Sequence, residues 1–243
     1  MNTERYQLLR QATMPDEPLV VTEAELRLML ESSPTEADDF LDVIRWSNVH
    51  VQIEVGTGRS VRVWKAWLGY DRAVVLAQSS PAITADTTPE DLTGRHPLVS
   101  GEYDLQVVAP GWVPVDALHW LGFGSRAQWS GPCQLPLPAL LRRLADPGVP
   151  PPRDNPDVSR IWGQPMQMCA VTTEPSRDCV LLVDTGGTGV WMLATEEDET
   201  ATLTPLTSRM IWQLFLTLTV NATARRPDSP TGADHAPGGS TQP

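Results

Sequence analysis

The sequence predicts an α+β domain built from two strand-rich units in tandem, on three observations. Residues 166–220 read as strands followed by a helix. Residues 49–121 repeat that order at similar spacing, although without residue-level identity. Hydrophobic residues make up 41% of the 243 positions, enough to fill a core without disulfides. Duplication of an α+β unit is a route to a pseudo-twofold domain, which is the architecture expected here.

In chain order, Thr22-Glu23-Ala24-Glu25 is a capping box: Thr22 is the N-cap and Glu25 the acid three residues on. Leu26, Leu28, Met29 and Leu30 carry the apolar face of that helix, and Ser32-Ser33-Pro34 ends it. Thr35 caps the next helix, with Phe40, Leu41, Ile44 and Trp46 apolar and acids in the first turn. Val49–Val55 alternates Val49, Val51, Ile53 and Val55 against His50, Gln52 and Glu54, the period of a strand. Ser60–Leu68 is a second strand, Gly69–Arg72 a turn, Ala73–Gln78 a third strand, and Ser79–Ser100 a loop rich in proline and threonine. Tyr103–Val108 is another strand. Pro114 opens a helix with Val115, Leu118, Trp120 and Leu121 as its apolar positions.

Gly122–Pro138 is rich in proline and glycine around Trp129 and Cys133. Ala139–Ala145 is a short helix, and Pro150-Pro151-Pro152 is a stiff spacer. Residues 122–160 are therefore expected to link quasi-halves 20–121 and 139–220 of one domain spanning 1–220. Met166–Thr173 and Cys179–Val183 are strands, the second nearly continuously apolar, as for a strand buried on both faces. Asp184–Gly189 is hairpin turn chemistry, Val190–Ala194 the returning strand, Glu196–Glu199 a solvated turn, and Thr200–Leu203 a short strand. Pro205 is expected to open the last helix, with Leu206, Met210, Ile211, Leu214, Phe215 and Leu218 at helical spacing. Residues 221–243 hold almost no large apolar side chains and are expected to be a disordered tail.

The net charge of −12 argues against binding nucleic acid, whose recognition relies on basic residues neutralising phosphates, and against anionic membranes. Three cysteines, Cys133, Cys169 and Cys179, fit a reducing compartment rather than a disulfide framework, although Cys169 and Cys179 on adjacent strands leave one pairing open. No apolar run reaches membrane-spanning length and the N-terminus lacks a signal-peptide core, so a cytosolic protein is expected.

Catalytic signals are sparse. Asp184-Thr185-Gly186 after Leu181-Leu182-Val183 resembles the active-site loop of aspartic proteases, which needs two such aspartates and hence a homodimer here. The plain alternative is a hairpin turn. Asp184-Thr185-Gly186-Gly187-Thr188 also resembles the first phosphate loop of sugar kinases, but too little chain follows for that two-lobed fold. His50, His96, His119 and His235 are scattered, and no pair has metal-ligand spacing. No catalytic residue, metal site or cofactor is expected. Nine tryptophans against three phenylalanines and three tyrosines suit a core and also an interface; Trp64, Trp67, Trp112 and Trp129 are the candidate partner contacts, with burial in the core as the plain alternative for each.

The order of elements resembles the EspG family of ESX (type VII) secretion-associated proteins of actinobacteria. The resemblance lies in the Leu-rich helix after Val21-Thr22-Glu23-Ala24-Glu25-Leu26 and the strands around 49–55 and 61–76. It continues in the helix after Pro114 and in the strand-to-helix unit formed by 180–183, 189–193 and 200–205. It implies a cytosolic, non-catalytic chaperone with a central antiparallel sheet flanked by helices. It also implies that the chain binds the tip of a PPE protein within a PE–PPE heterodimer.

Overall fold

The computed structural model describes residues 34–47, 49–56, 61–78, 103–123, 131–152, 156–174, 178–196 and 199–224. The expected helix at 22–31, the loop at 79–100, Trp129, His96, His235 and the residues after Ala224 lie outside these.

In order along the chain, the elements are α1 (Pro34–Trp46), β1 (His50–Gly56), β2 (Val61–Leu68), β3 (Ala73–Gln78), β4 (Tyr103–Val108), α2 (Val113–Leu121) and β5 (Cys133–Pro136). They continue with α3 (Leu137–Ala145), α4 (Pro156–Trp162), β6 (Gln167–Glu174), β7 (Cys179–Asp184), β8 (Val190–Thr195), β9 (Thr200–Leu206) and α5 (Ser208–Ala224). The nine strands among the described residues form one antiparallel open sheet in the order β4-β3-β2-β1-β6-β7-β8-β9-β5. Each unit runs outward from the centre through four strands and then enters a helix. The units meet where β1 pairs with β6, with Ile53 opposite Val171. The expected α+β class with a central antiparallel sheet and a duplicated unit is the one observed.

Strand periodicity distributes the core. Val49, Val51, Ile53, Val55, Trp64, Ala66, Val75, Cys169, Val171 and Leu182 face the layer formed by α2 and α5, which lie side by side. On the other face α1 covers Trp67, Val74 and Leu76. Helices α3 and α4 cover Met168, Ala170, Leu181, Val183 and Trp191. Between these two helical layers the sheet presents polar residues: Gln52, Lys65 and Thr172 are half-buried and Glu54 is buried, accepting from Gln52 Nε2 at 2.7 Å. Because both faces are covered at both ends of the sheet, the strands are more uniformly buried than their alternation suggests.

Two indole N–H groups fasten α2 to the sheet. Trp64 Nε1 donates to Asp116 Oδ2 at 2.8 Å, and Trp120 Nε1 to the carbonyl of Gln78 at 2.6 Å. In the second unit the buried guanidinium of Arg143 donates to the carbonyls of Trp162 (2.9 and 3.1 Å) and Gln164 (2.8 Å). It thereby caps the C-terminus of α4, where a cation also suits the helix dipole.

Several expectations are corrected. Residues 122–160 are not simply a linker: β5 pairs with β9, Cys133 and Leu135 point inward, and Leu140, Leu144 and Val158 join the second core. Pro205 does not open a helix but lies within β9 opposite Trp191. Proline is tolerated there because β5 reaches only as far as Leu203, so one side of β9 has no ladder to supply beyond it. Thr207 is the actual cap of α5, its Oγ1 accepting from Met210 N at 3.2 Å. The helix then runs to Ala224, one turn past the expected end at residue 220. Cys169 and Cys179 cannot pair. Cys169 lies opposite Leu182 and Cys179 opposite Thr172, so their odd offset sends the two thiols to opposite faces of the sheet.

Phe215, buried between α5 and the sheet, should cost about 3–5 kcal/mol on truncation to alanine. Half-buried Leu214 should cost clearly less. Urea unfolding of Phe215→Ala and Leu214→Ala measures the difference, and equal losses would contradict this orientation of α5. A second expectation concerns the thiols. All three are free, and burial pushes the Cys179 thiol up to about 11 and raises Cys169 well above its usual range. The thiolate is the reactive form, so alkylation of the native chain at pH 8 should be slow and should become fast on denaturation. Fast labelling of the native protein would show that the strands open readily.

Candidate functional site: an exposed aromatic corner

One corner of the sheet combines large apolar side chains with exposure. Helix α1 ends there. Ser47 Oγ donates to the carbonyls of Val49 (2.7 Å) and Leu68 (3.1 Å), pinning the end of α1 to the end of β2. The β2–β3 turn follows directly, closed by Gly69 N–H donating to the Arg72 carbonyl at 2.9 Å. A side chain at Gly69 would bring its Cβ to 2.8 Å from that oxygen, so the tight turn requires glycine. Val108 pairs with Ala73, so β4 ends beside the same turn, and the chain continues into the short 3-10 turn Pro110–Trp112.

At this corner Trp46 is 82% exposed, Tyr70 87% and Trp112 62%. Val107 on β4 and Val115 in the first turn of α2 are exposed as well. Arg45 precedes Trp46 and Arg72 lies two residues after Tyr70, each near its own carboxylate: Arg45 to Asp42 at 4.0 Å and Arg72 to Asp71 at 3.6 Å. Tryptophan, tyrosine and arginine are the residues that dominate binding energy at protein interfaces. Isolated exposed apolar residues need no explanation, but three aromatics gathered at one sheet corner do. A second exposed apolar set, Trp212, Leu216 and Val220, forms an i, i+4, i+8 stripe on the solvent side of α5.

Of the four tryptophans expected to contact a partner, Trp112 is exposed at this corner. Trp64 is fully buried and bonded to Asp116. Trp67 lies beneath α1, with Lys65 Nζ 5.0 Å above its ring and His50 in an edge contact. Trp129 lies outside the described residues. His50 contacts Glu174 Oε2 at 3.2 Å and the Ser47 carbonyl at 3.3 Å, so it is part of the same corner's framework. His119 is exposed on α2.

Asp184 is fully buried. Its Oδ1 accepts from Gly186 N at 3.0 Å, and its Oδ2 from Gln167 Nε2 at 3.4 Å. Thr185 Oγ1 donates to the Gly189 carbonyl and accepts from Trp191 Nε1, while Gly186 takes a left-handed φ of 61°. This network builds the β7–β8 hairpin, and the carboxylate has no face toward solvent. Glu196 likewise serves its turn, accepting from Thr202 Oγ1 at 3.2 Å. Among the described residues no group of three or more histidine, cysteine or carboxylate side chains could hold a metal. No helix among them is long and apolar enough to cross a membrane.

No family model matches the chain, and neither does any curated protein. Among solved structures, the chain is similar to the Mycobacterium tuberculosis type VII secretion system chaperone EspG5, determined in complex with the PE25–PPE41 dimer. The similarity has a TM-score of 0.41 and 12% identity, and covers 90% of this chain and 94% of that one.

Replacing Asp184 by alanine should destabilise the chain by about 1–3 kcal/mol, because two buried donors lose their acceptor. Asparagine, which keeps an acceptor oxygen, should cost less. Thermal unfolding of the two variants tests this, and an alanine variant as stable as the parent would remove the structural role assigned to Asp184.

Proposed function

We propose that this chain is a non-catalytic protein-binding chaperone that holds an aggregation-prone surface of a partner, and that the partner is a PE–PPE-like heterodimer. The aromatic corner formed by Trp46, Tyr70 and Trp112 carries this reading. The fold holds three large aromatic side chains in solvent on a rigid sheet end, and each is costly to leave in water unless something covers it. The corner is built from a helix end, a two-residue turn and a 3-10 turn, all tied by backbone hydrogen bonds, so binding need not order it first. The acidic balance of the chain suits a neutral or basic partner. The resemblance in element order to the EspG family supports the partner class and the type VII secretion setting.

Co-expression with a PE–PPE pair encoded nearby, followed by gel filtration, is the direct test. Co-migration is expected. Trp46→Ala, Tyr70→Ala and Trp112→Ala should each weaken the complex by about 1–3 kcal/mol. Because all three side chains are exposed, unfolding free energy should stay within about 0.5 kcal/mol of the parent. Absence of co-migration, or full affinity in all three variants, would remove this reading.

A further inference from the structure

The two rims of the sheet are built differently. At one rim β5 is four residues long and ends in Pro136, which cannot donate to a further strand. At the other rim β4 is six residues long, Tyr-Asp-Leu-Gln-Val-Val, with no proline, lysine or arginine. Its register with β3 is unbroken from Tyr103 to Val108, so no bulge turns it away. Edge strands are normally blunted by such devices, and β4 has one charge, Asp104.

The hydrogen-bonding direction of β4 follows from the turn beside it. Gly69 N–H donates to Arg72 O, which makes 69 and 72 a hydrogen-bonded pair. Alternation along β2–β3 then assigns Val74 and Leu76 to β2, and Ala73, Val75 and Ala77 to β4. Their partners on β4 are Val108, Gln106 and Asp104. Leu105 and Val107 therefore aim their N–H and C=O groups away from β3, out of the described sheet. Val107 is 44% exposed, and β4 leads within four residues to Trp112.

We propose that the outer edge of β4 takes up an extended apolar segment of the partner, bearing basic residues, as a tenth strand, with its end clasped by Tyr70 and Trp112. The outward amides specify an extended backbone. The aromatic corner continuous with the strand specifies apolar side chains at that end. Exposed Asp104 and the net charge of −12 favour basic over acidic residues in the segment. This rests on reading the corner as a protein-binding surface and adds to it the geometry of what binds.

The probe is a fluorescein-labelled synthetic peptide of about eight residues, alternating valine and threonine with a lysine at each end. It is compared, by fluorescence anisotropy on the full chain, with a copy N-methylated at alternate amides. The parent chain should bind the first saturably and the second not at all. Val107→Pro removes an outward N–H without touching the bonds to β3, and should weaken binding about tenfold or more. Its circular dichroism melt should match the parent's. No binding by the parent, or equal binding of both peptides, overturns the proposal; so does an unaffected Val107→Pro. If Val107→Pro fails to fold, the comparison of the two peptides on the parent chain decides alone. A parent chain that sediments as a dimer and becomes monomeric in Val107→Pro would mean that β4 pairs with a second copy, which also overturns it. A PE–PPE-like heterodimer that binds Val107→Pro normally but loses Trp46→Ala would leave the corner in place and remove the tenth strand.

Discussion

The antiparallel ladder between β1 and β6 is the constraint on which the rest depends. It runs over seven residue pairs, from His50 opposite Glu174 to Gly56 opposite Met168, and it joins the two units into one sheet. Each unit alone would end in an open strand at its inner side. Pairing the two inner strands removes both edges and places α2 and α5 on the same face, where they pack against each other. On the opposite face the same symmetry keeps α1 apart from α3 and α4, which leaves the polar strip of Gln52, Glu54, Lys65 and Thr172 between them. Burial lowers the Lys65 pKa, with Glu174 working against the shift.

The aromatic corner follows from the same arrangement. The first unit ends at an outer strand with a glycine-dependent turn on its inner neighbour and a 3-10 turn after it. Helix α1 ends level with the end of β2, where Ser47 pins it, and its last residue, Trp46, is left exposed. Rigidity and exposure thus come from ordinary connections, with no long loop to order. Asp184, by contrast, is buried with both oxygens engaged, one closing its turn through Gly186 N–H and the other accepting from Gln167 on β6.

Strands were legible because alternation and apolar runs survive in almost every one, and the duplicated order of elements was legible with them. Two kinds of information were not. Long-range pairing is invisible to periodicity, so β5, only four residues among prolines, read as linker until β9 was there to receive it. Pro205 misled for a similar reason: whether a strand can hold a proline depends on which side of it lacks a neighbour. The exposure of the aromatic corner was legible only in part. Trp46 read as core because it follows Phe40, Leu41 and Ile44, yet it falls five residues after Leu41 and two after Ile44, off the stripe they define. Trp64 and Trp67 are three apart in a strand and so face opposite ways. Both are buried only because helices cover both faces at that point. Tyr70 stood in a turn without periodicity, which was itself the signal of exposure.

The ladder between β1 and β6 also has a history in time. Thr172 reaches back to Gln52 across 120 residues. On a ribosome adding about 5–20 residues each second, β1 emerges on the order of ten seconds before its partner. Through that interval the apolar edge made of Val51, Ile53 and Val55 waits without its neighbour. Until its partner strand arrives, the first unit is itself a sheet with an open inner edge, available to any other chain that can pair with it.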